Sequence, residues 1–152
     1  MNKRDVTISF ASKIDASYKD DLERIFFFNW HQSKYAPRIT QSVKDYAKPI
    51  IFNNDDGSIS LEFEEREMGQ TLHIFDSEQD GASLIGVLMY VRENNKQITI
   101  VHVALHEGCT KLFKDSGINV LSVVTKKIKE MFSRIKGVEI LYFYYNNRSI
   151  NL

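Results

Sequence analysis

Residues 84–105 read LIGVLMYVRENNKQITIVHVAL, and this stretch decides the fold. Two apolar, β-branched runs at 84–92 and 97–105 flank a polar turn, ENNK, at 93–96. This pattern is typical of a tight hairpin, so we expect two antiparallel strands. Turn-forming residues at 53–57 and 80–81 extend the pattern toward the N-terminus. They predict a meander with further strands at 59–67 and 71–75.

The chain before the meander has helical rather than strand periodicity. Tyr18, Leu22, Ile25 and Phe26 recur at three- and four-residue steps, which places them on one helical face, and Asp15 or Ser17 can cap that helix. A second helix is predicted at 40–48, ended by proline, with loop at 33–38. A short β-branched and aromatic run at 6–10 predicts a first strand.

The chain after the meander carries the clearest amphipathic helix, which follows an irregular stretch at 106–116. One apolar stripe recurs at helical spacing up to Gly137, a good stop signal, and comprises Leu121, Val124, Ile128, Met131, Phe132 and Ile135. The run 138–145 is apolar and aromatic, as in a strand covered on both faces. A strand, this helix and a second strand predict a parallel β-α-β crossover.

Composition narrows the class of protein. The 152 residues suit one domain, 1–152, and are 43% hydrophobic. Twenty basic residues balance twenty acidic ones, so we expect no nucleic-acid partner. Without an apolar run of about twenty residues or an apolar signal core, we expect no membrane association. A single cysteine, Cys109, fits a reducing compartment, and we expect the protein in the cytoplasm.

Three local patterns, together with the element order, resemble the GCN5-related N-acetyltransferases. LIGVL at 84–88 is similar to the hydrophobic-Gly-hydrophobic opening of that family's third strand. KDSGIN at 114–119 lies where the family carries its glycine-containing cofactor loop, and Gly117 matches outright. NNRSI at 146–150 is similar to the Asn-x-x-small-Ile pattern after the family's last strand.

The resemblance implies a fold, a cofactor and a reaction. The fold would be α/β (α+β), with a mixed, mostly antiparallel sheet, helices on both faces and the order β-α-α-β-β-β-β-α-β. Acetyl-CoA would be the acyl donor, and a small-molecule or peptide amine would attack it directly. The residues implied for cofactor binding are Val103, Leu105, Lys114, Gly117, Ile118, Asn119 and Asn146.

Departures from the family pattern leave alternatives open. Lys114 stands for Gln or Arg, Asn119 for a small residue, and Leu105 for proline. The chain ends at Leu152, where the family continues into a fourth helix and two strands that often supply a catalytic tyrosine. Three explanations stay open: a shortened domain, another chain that supplies the missing layer, as in a homo-oligomer that completes the sheet, or a sequence that was cut short. The rival functions are a non-catalytic module of the same architecture and an unrelated α+β protein that acts through protein association.

Amine acylation needs a proton acceptor and a proton donor. His102, on a predicted strand, is the candidate base, although a strand histidine is more often packed. Tyr142 and Tyr144, on the last strand, are candidate donors. The start of the long helix offers unpaired amides to a pyrophosphate, and the competing interpretation is a solvated helix start.

Three further patterns carry weaker hypotheses. His102 and His106 lie on one side of an extended strand without an evident third metal ligand, so we predict no metal. Cys109 lacks a visible base partner for nucleophilic catalysis. The acidic segment EFEERE at 62–67 either attracts a cationic amine or protects a sheet edge against aggregation.

Overall fold

The computed structural model describes residues 7–26, 36–76, 83–106, 119–144 and 147–152. Within these ranges the chain forms a mixed α+β fold, which confirms the predicted class. In chain order the elements are β1 (Ile8–Ala11), a 3-10 turn (Ala16–Tyr18), α1 (Lys19–Phe26), α2 (Ala36–Asp45), β2 (Pro49–Asn53), β3 (Ile59–Phe63), β4 (Gln70–Asp76), β5 (Ser83–Arg92), β6 (Gln97–Leu105), α3 (Val120–Ser133), β7 (Ile140–Phe143) and β8 (Arg148–Asn151).

The main sheet has six strands in the order β1-β4-β5-β6-β7-β8. Every neighbouring pair is antiparallel except β6 and β7. These two strands run parallel, and α3 lies between them in the sequence. The predicted meander over β4, β5 and β6 and the predicted parallel crossover are therefore confirmed. β2 and β3 form a separate antiparallel pair.

The two faces of the main sheet carry different helices. Leu22, Ile25 and Phe26 of α1 pack with Val87 and Met89 of β5. On the other face, α3 packs through Val124, Ile128 and Phe132 against a cluster that includes Leu88 and Ile98. Since successive strand residues point to opposite faces, the alternation along β5 separates the two cores.

Several predicted boundaries were wrong. The strand predicted at 59–67 ends at Phe63 and pairs with β2 instead of joining the meander. β2 itself was not predicted, because Pro49 was interpreted as the end of a helix, whereas it begins a strand. α2 begins at Ala36 within the predicted loop, since Pro37 lies in the first helical turn, where its missing N–H costs nothing.

The ends of the chain differ from the prediction as well. The first strand is Ile8–Ala11, and Val6 lies outside the described residues. The last predicted strand is shorter, Ile140–Phe143, and an eighth strand, Arg148–Asn151, pairs with it. The expected element order therefore lacks two strands that the structure has, β2 and β8.

Local capping follows the sequence. The Asp15 side chain accepts a hydrogen bond from the Ser17 N–H at 2.9 Å, which lowers the pKa of the Asp15 carboxyl, and α1 follows directly. In the β5–β6 turn, Asn94 Oδ1 accepts from the N–H groups of Lys96 and Gln97 at 2.8 and 3.0 Å. The polar residues of this turn thus fix the hairpin that the sequence predicted.

Candidate functional site

The parallel strands β6 and β7 separate part-way along their length. Their pairing covers Gln97–Ile100 and Ile140–Phe143. It ends where the Tyr144 N–H donates to the Ile100 carbonyl oxygen at 3.0 Å. Past this bond, none of the described strands pairs with residues 101–105 of β6 on that side. We call residues 101–105 the open side of β6.

A β-bulge lies at the point of separation. Ile100 is opposite Tyr90 and His102 is opposite Met89, so Val101 is the extra residue. The His106 N–H donates to the Ile85 carbonyl at 2.7 Å, which sets the phase of the hydrogen bonds between β5 and β6. By the alternation of an antiparallel ladder, the main-chain groups of Val103 and Leu105 point away from β5. Two of the predicted cofactor-binding residues thus face the open side.

Gly86 explains how closely β5 and β6 approach beside the open side. A Cβ added at Gly86 would lie 2.7 Å from the Ala104 carbonyl oxygen and 2.8 Å from Leu105 Cδ2. Glycine permits this backbone approach because it has no side chain. The LIGVL pattern therefore marks a position where a larger residue does not fit.

His102, the predicted base, lies inside the core. Only 1% of its surface is exposed, and its ring makes an edge contact with Phe26 at 5.4 Å and a tilted contact with Phe63 at 6.4 Å. Burial lowers the pKa of His102 to about 4, so the imidazole is neutral at neutral pH. Its packing between aromatic rings gives it a structural role, and its role as a base stays a prediction.

The two predicted tyrosines share one face of β7, and both hydroxyl groups are hydrogen-bonded. Tyr142 donates to Asn147, whose φ of 54° places it in the turn before β8. Tyr144, 7% exposed, donates to Asp45 Oδ2 at 2.7 Å. α2 is therefore joined to the end of β7, next to the point where β6 and β7 separate.

A third tyrosine, Tyr46, packs beside the Tyr144–Asp45 contact and was not predicted from the sequence. Its ring packs edge-on against Tyr144 with centroids 5.6 Å apart. Its hydroxyl donates to Glu93 Oε1 at 2.5 Å. Burial and the Glu93 carboxylate raise the pKa of Tyr46. The only sequence signal was an aromatic residue near the predicted end of a helix.

The start of α3 is capped by its own side chain. Asn119 Oδ1 accepts from the Ser122 N–H at 3.0 Å, and the Asn119 carbonyl accepts from the Val123 N–H at 3.1 Å. One main-chain amide of this terminus is thus already bonded. The other residues predicted for this loop and for the end of β7 lie outside the described residues: Lys114, Gly117, Ile118 and Asn146.

The structure describes the residues of two of the three weaker hypotheses, the acidic segment and the histidine pair. In the acidic segment, Glu62 Oε2 lies 2.6 Å from Arg66 Nη2, and the Arg66 guanidinium stacks over Phe52 at 4.4 Å. Across the described ranges, no group of three His, Cys, Asp or Glu side chains is arranged to hold a metal. Cys109 lies outside those ranges.

No helix among the described residues has the length and apolarity needed to cross a bilayer.

Comparisons with protein-family models, curated proteins and solved structures found no match to this chain. The function is therefore inferred from the geometry of the sheet and from the residues that surround the open side of β6.

Proposed function

We propose that the protein is an acyl-CoA-dependent N-acyltransferase that transfers an acetyl group directly to an amine. The observation that carries the proposal is the separation of β6 from β7 at the Val101 bulge. Past this point, main-chain hydrogen-bonding groups of β6 face a side that no described strand covers. The family resemblance implies that such groups bind the amide-bearing arm of coenzyme A.

In this proposal, the main-chain groups of Val103 bond to the amides of the cofactor arm, and the arm continues along Leu105. Backbone groups spaced along a strand match such amides as they would match a neighbouring strand. Lys114, Gly117, Ile118, Asn119 and Asn146 would hold the phosphates near the start of α3, where the helix dipole favours negative charge. Bound acetyl-CoA would supply the activated acyl group.

Proton transfer is assigned to side chains near the separation point. The amine nitrogen bonds to the acyl carbon as the carbon–sulfur bond breaks. His102 accepts the proton that leaves the nitrogen, and the departing sulfur takes up a proton to become a thiol. Tyr142 or Tyr144 donates the proton to the sulfur, which requires its hydroxyl to leave the acceptor that it has in the structure, Asn147 or Asp45. We expect a small-molecule or peptide amine as acceptor and the cytoplasm as the site of action.

A non-catalytic module is the second candidate, favoured by the same two bonds. If the hydroxyl groups of Tyr142 and Tyr144 serve only to join β7 to its neighbours, neither is left to transfer a proton. Such a module would bind acetyl-CoA without turnover. In either case, β8 is at the edge of the sheet among the described strands, and its Arg148, Ser149 and Asn151 are exposed, so we expect that a second copy of the chain can extend the sheet there.

Acetyl transfer from acetyl-CoA to a mixed pool of amines and peptides tests the proposal. Wild-type protein should release free thiol in the presence of the pool, and Tyr142→Phe or Tyr144→Phe should lower the rate at least tenfold without weakening acetyl-CoA binding. Binding without turnover would overturn the enzyme and leave the module. Full activity in both tyrosine variants and in His102→Ala would discard the assigned residues.

A further inference from the structure

A cleft of about 870 Å³ lies on the opposite side of β5 from the open side of β6. It follows the outer edge of β4 and is also lined by β3, the loop after it and the two residues after β1. On the face that α3 covers, it reaches Tyr90 and Arg92 of β5, Ile98 of β6 and Ile135. β4 and β6 flank β5, so the two edges are roughly 10 Å apart at ordinary strand spacing. The cleft is therefore separate from the proposed cofactor site.

The edge of β4 inside this cleft lacks a partner among the described strands. β1 pairs with β4 only as far as Ala11 and His73, whereas β4 begins at Gln70. After Ala11 the chain leaves β4, and Ile14 bonds to Ile59 of β3 instead, with distances of 2.9 and 2.8 Å. Three residues of β4, 70–72, are thus left at an open edge.

The main-chain groups of Thr71 point toward that edge. The His106–Ile85 bond makes Ile85, Val87 and Met89 the residues of β5 that bond to β6. The intervening residues, including Leu88 and Tyr90, therefore bond to β4, at Leu72 and Gln70. Thr71 lies between these two and presents its N–H and C=O to the cleft.

The Thr71 hydroxyl is a second, independent sign of an unfilled site. Thr71 is only 6% exposed and lines the cleft, yet Oγ1 has no hydrogen-bond partner within the described part of the chain. A buried hydroxyl without a partner costs stability, and such groups are rare in native proteins. A ligand that brings a polar atom to this point removes that cost.

One basic side chain of the cleft, Arg92, favours an acidic group at its end. Lys13, Arg66 and Arg92 line it against Glu62 and Glu67. Glu62 neutralises Arg66, and Asp56 lies 3.5 Å from Lys13, so Arg92 and Glu67 are the two charges of the lining that remain. Arg92 is held by main-chain carbonyls of Asn95 and Lys136, at 3.1 and 3.3 Å, and has no carboxylate partner among the described residues. The cleft therefore holds a fixed, unneutralised cation beside an open strand edge.

We propose that the cleft binds an extended peptide, added as a strand to the edge of β4, that carries apolar residues and one acidic residue on the same face. A peptide backbone supplies the acceptor and donor that Thr71 presents, at the spacing of a strand. Its apolar side chains lie against Leu72 and Tyr90, and an acidic side chain on the same face lies toward Arg92, because Tyr90 and Arg92 share one face of β5. The proposal does not depend on the proposed acyl transfer.

Titration with the capped peptide acetyl-Val-Thr-Val-Thr-Glu-amide, which has two valines and the glutamate on one face, tests this. Wild-type protein should bind the peptide saturably, and a copy methylated on its backbone nitrogens should bind at least tenfold more weakly. Thr71→Pro should weaken binding at least tenfold, because proline removes an N–H that faces the cleft and is tolerated at a strand edge. Val103→Pro makes the same change on the open side of β6 and should leave peptide binding unchanged.

Charge is tested by a matched pair. Arg92→Gln should weaken binding of the peptide several-fold, whereas Arg24→Gln, at an exposed position of α1, should not. No saturable binding at millimolar peptide, equal binding of the methylated peptide, or equal binding of the single residue acetyl-Glu-amide would each overturn strand addition. Melting temperatures of the variants show whether they remain folded, and the methylated peptide tests the wild-type protein if Thr71→Pro does not.

Discussion

The Tyr144 N–H donates to the Ile100 carbonyl oxygen at 3.0 Å, and in the described structure this bond closes the pairing of β7 with β6. One residue later, the Val101 bulge changes the phase of β6. The two features together leave Val103 and Leu105 facing away from β5. The function proposed above depends on this local divergence rather than on any single side chain.

Gly86→Ala should destabilise the protein by about 1–3 kcal/mol, the usual cost of overpacking. The added Cβ would meet the Ala104 carbonyl oxygen at 2.7 Å, and backbone in a central strand cannot move aside easily. Denaturant unfolding measures the change. Ser83→Ala, at the exposed start of the same strand, is the control and should change stability by less than about 0.5 kcal/mol. Equal stability of the two variants would contradict the close approach.

Thr71→Val should raise the free energy of unfolding by about 1 kcal/mol, because it removes a buried hydroxyl that lacks a partner and keeps the side-chain shape. Thr99→Val provides the contrast. Thr99 is equally buried, but its hydroxyl accepts from Gln97 Nε2 at 3.2 Å, so its loss should lower stability. A loss of stability in Thr71→Val would show that its hydroxyl is bonded.

Stability should fall as the pH is lowered from about 7 to 4. The pKa of His102 lies at about 4 in the folded protein against an ordinary 6.5, because burial disfavours the charged ring. A depressed pKa gives stability that is complete above the unfolded pKa and is lost as the pH falls toward the folded value. For His102 this amounts to roughly 3 kcal/mol.

His73 adds to the same pH dependence. Burial lowers its pKa, and its ring joins two segments: Nδ1 donates to the Ala11 carbonyl at 2.9 Å, while Nε2 accepts from the Leu61 N–H at 3.1 Å. Protonation would remove that acceptor. Denaturant unfolding of wild type and His102→Leu at several pH values separates the contributions. An identical slope in both would show that His102 does not titrate in this range.

Tyr144→Phe should cost about 1 kcal/mol, since it removes the hydroxyl that bonds to the Asp45 carboxylate. Asp45→Asn retains an oxygen acceptor and should cost less. If the two side chains interact as the structure places them, the double variant should be more stable than the sum of the two losses predicts. Additive losses in this cycle would mean that the pair contributes nothing to the attachment of α2.

Periodicity predicted the elements whose own residues determine them. The alternation at 84–105 and the stripe ending at Ile135 specify a hairpin and a helix, and β4, β5, β6 and α3 follow the prediction closely. The partner of β3 was not predictable, because alternation defines which face of a strand is buried and not which strand lies beside it. The predicted boundaries near Pro37 and Pro49 were wrong for a related reason. Proline is compatible with the first turn of a helix, as at Pro37, and with the first residue of a strand, as at Pro49.

The candidate site was predictable only in part. The sequence placed His102 on a strand, in phase with Ile98 and Ile100, which face α3. The bulge at Val101 reverses that phase and turns His102 toward Phe26 and Phe63 on the other side. A one-residue irregularity leaves no mark in a run of alternating apolar residues. The contacts of Tyr144 with Asp45 and Tyr46 are equally invisible, because ninety-nine residues separate Tyr144 from Asp45.

The melting temperature with and without acetyl-CoA tests the central claim most directly, because a ligand that binds only the folded state stabilises it. At about 100 times its dissociation constant, acetyl-CoA should raise the wild-type melting temperature by roughly 5 °C or more. The rise should be lost in Val103→Pro and kept in Thr71→Pro. No rise at millimolar acetyl-CoA, or an equal rise in Val103→Pro, would contradict binding along the open side of β6.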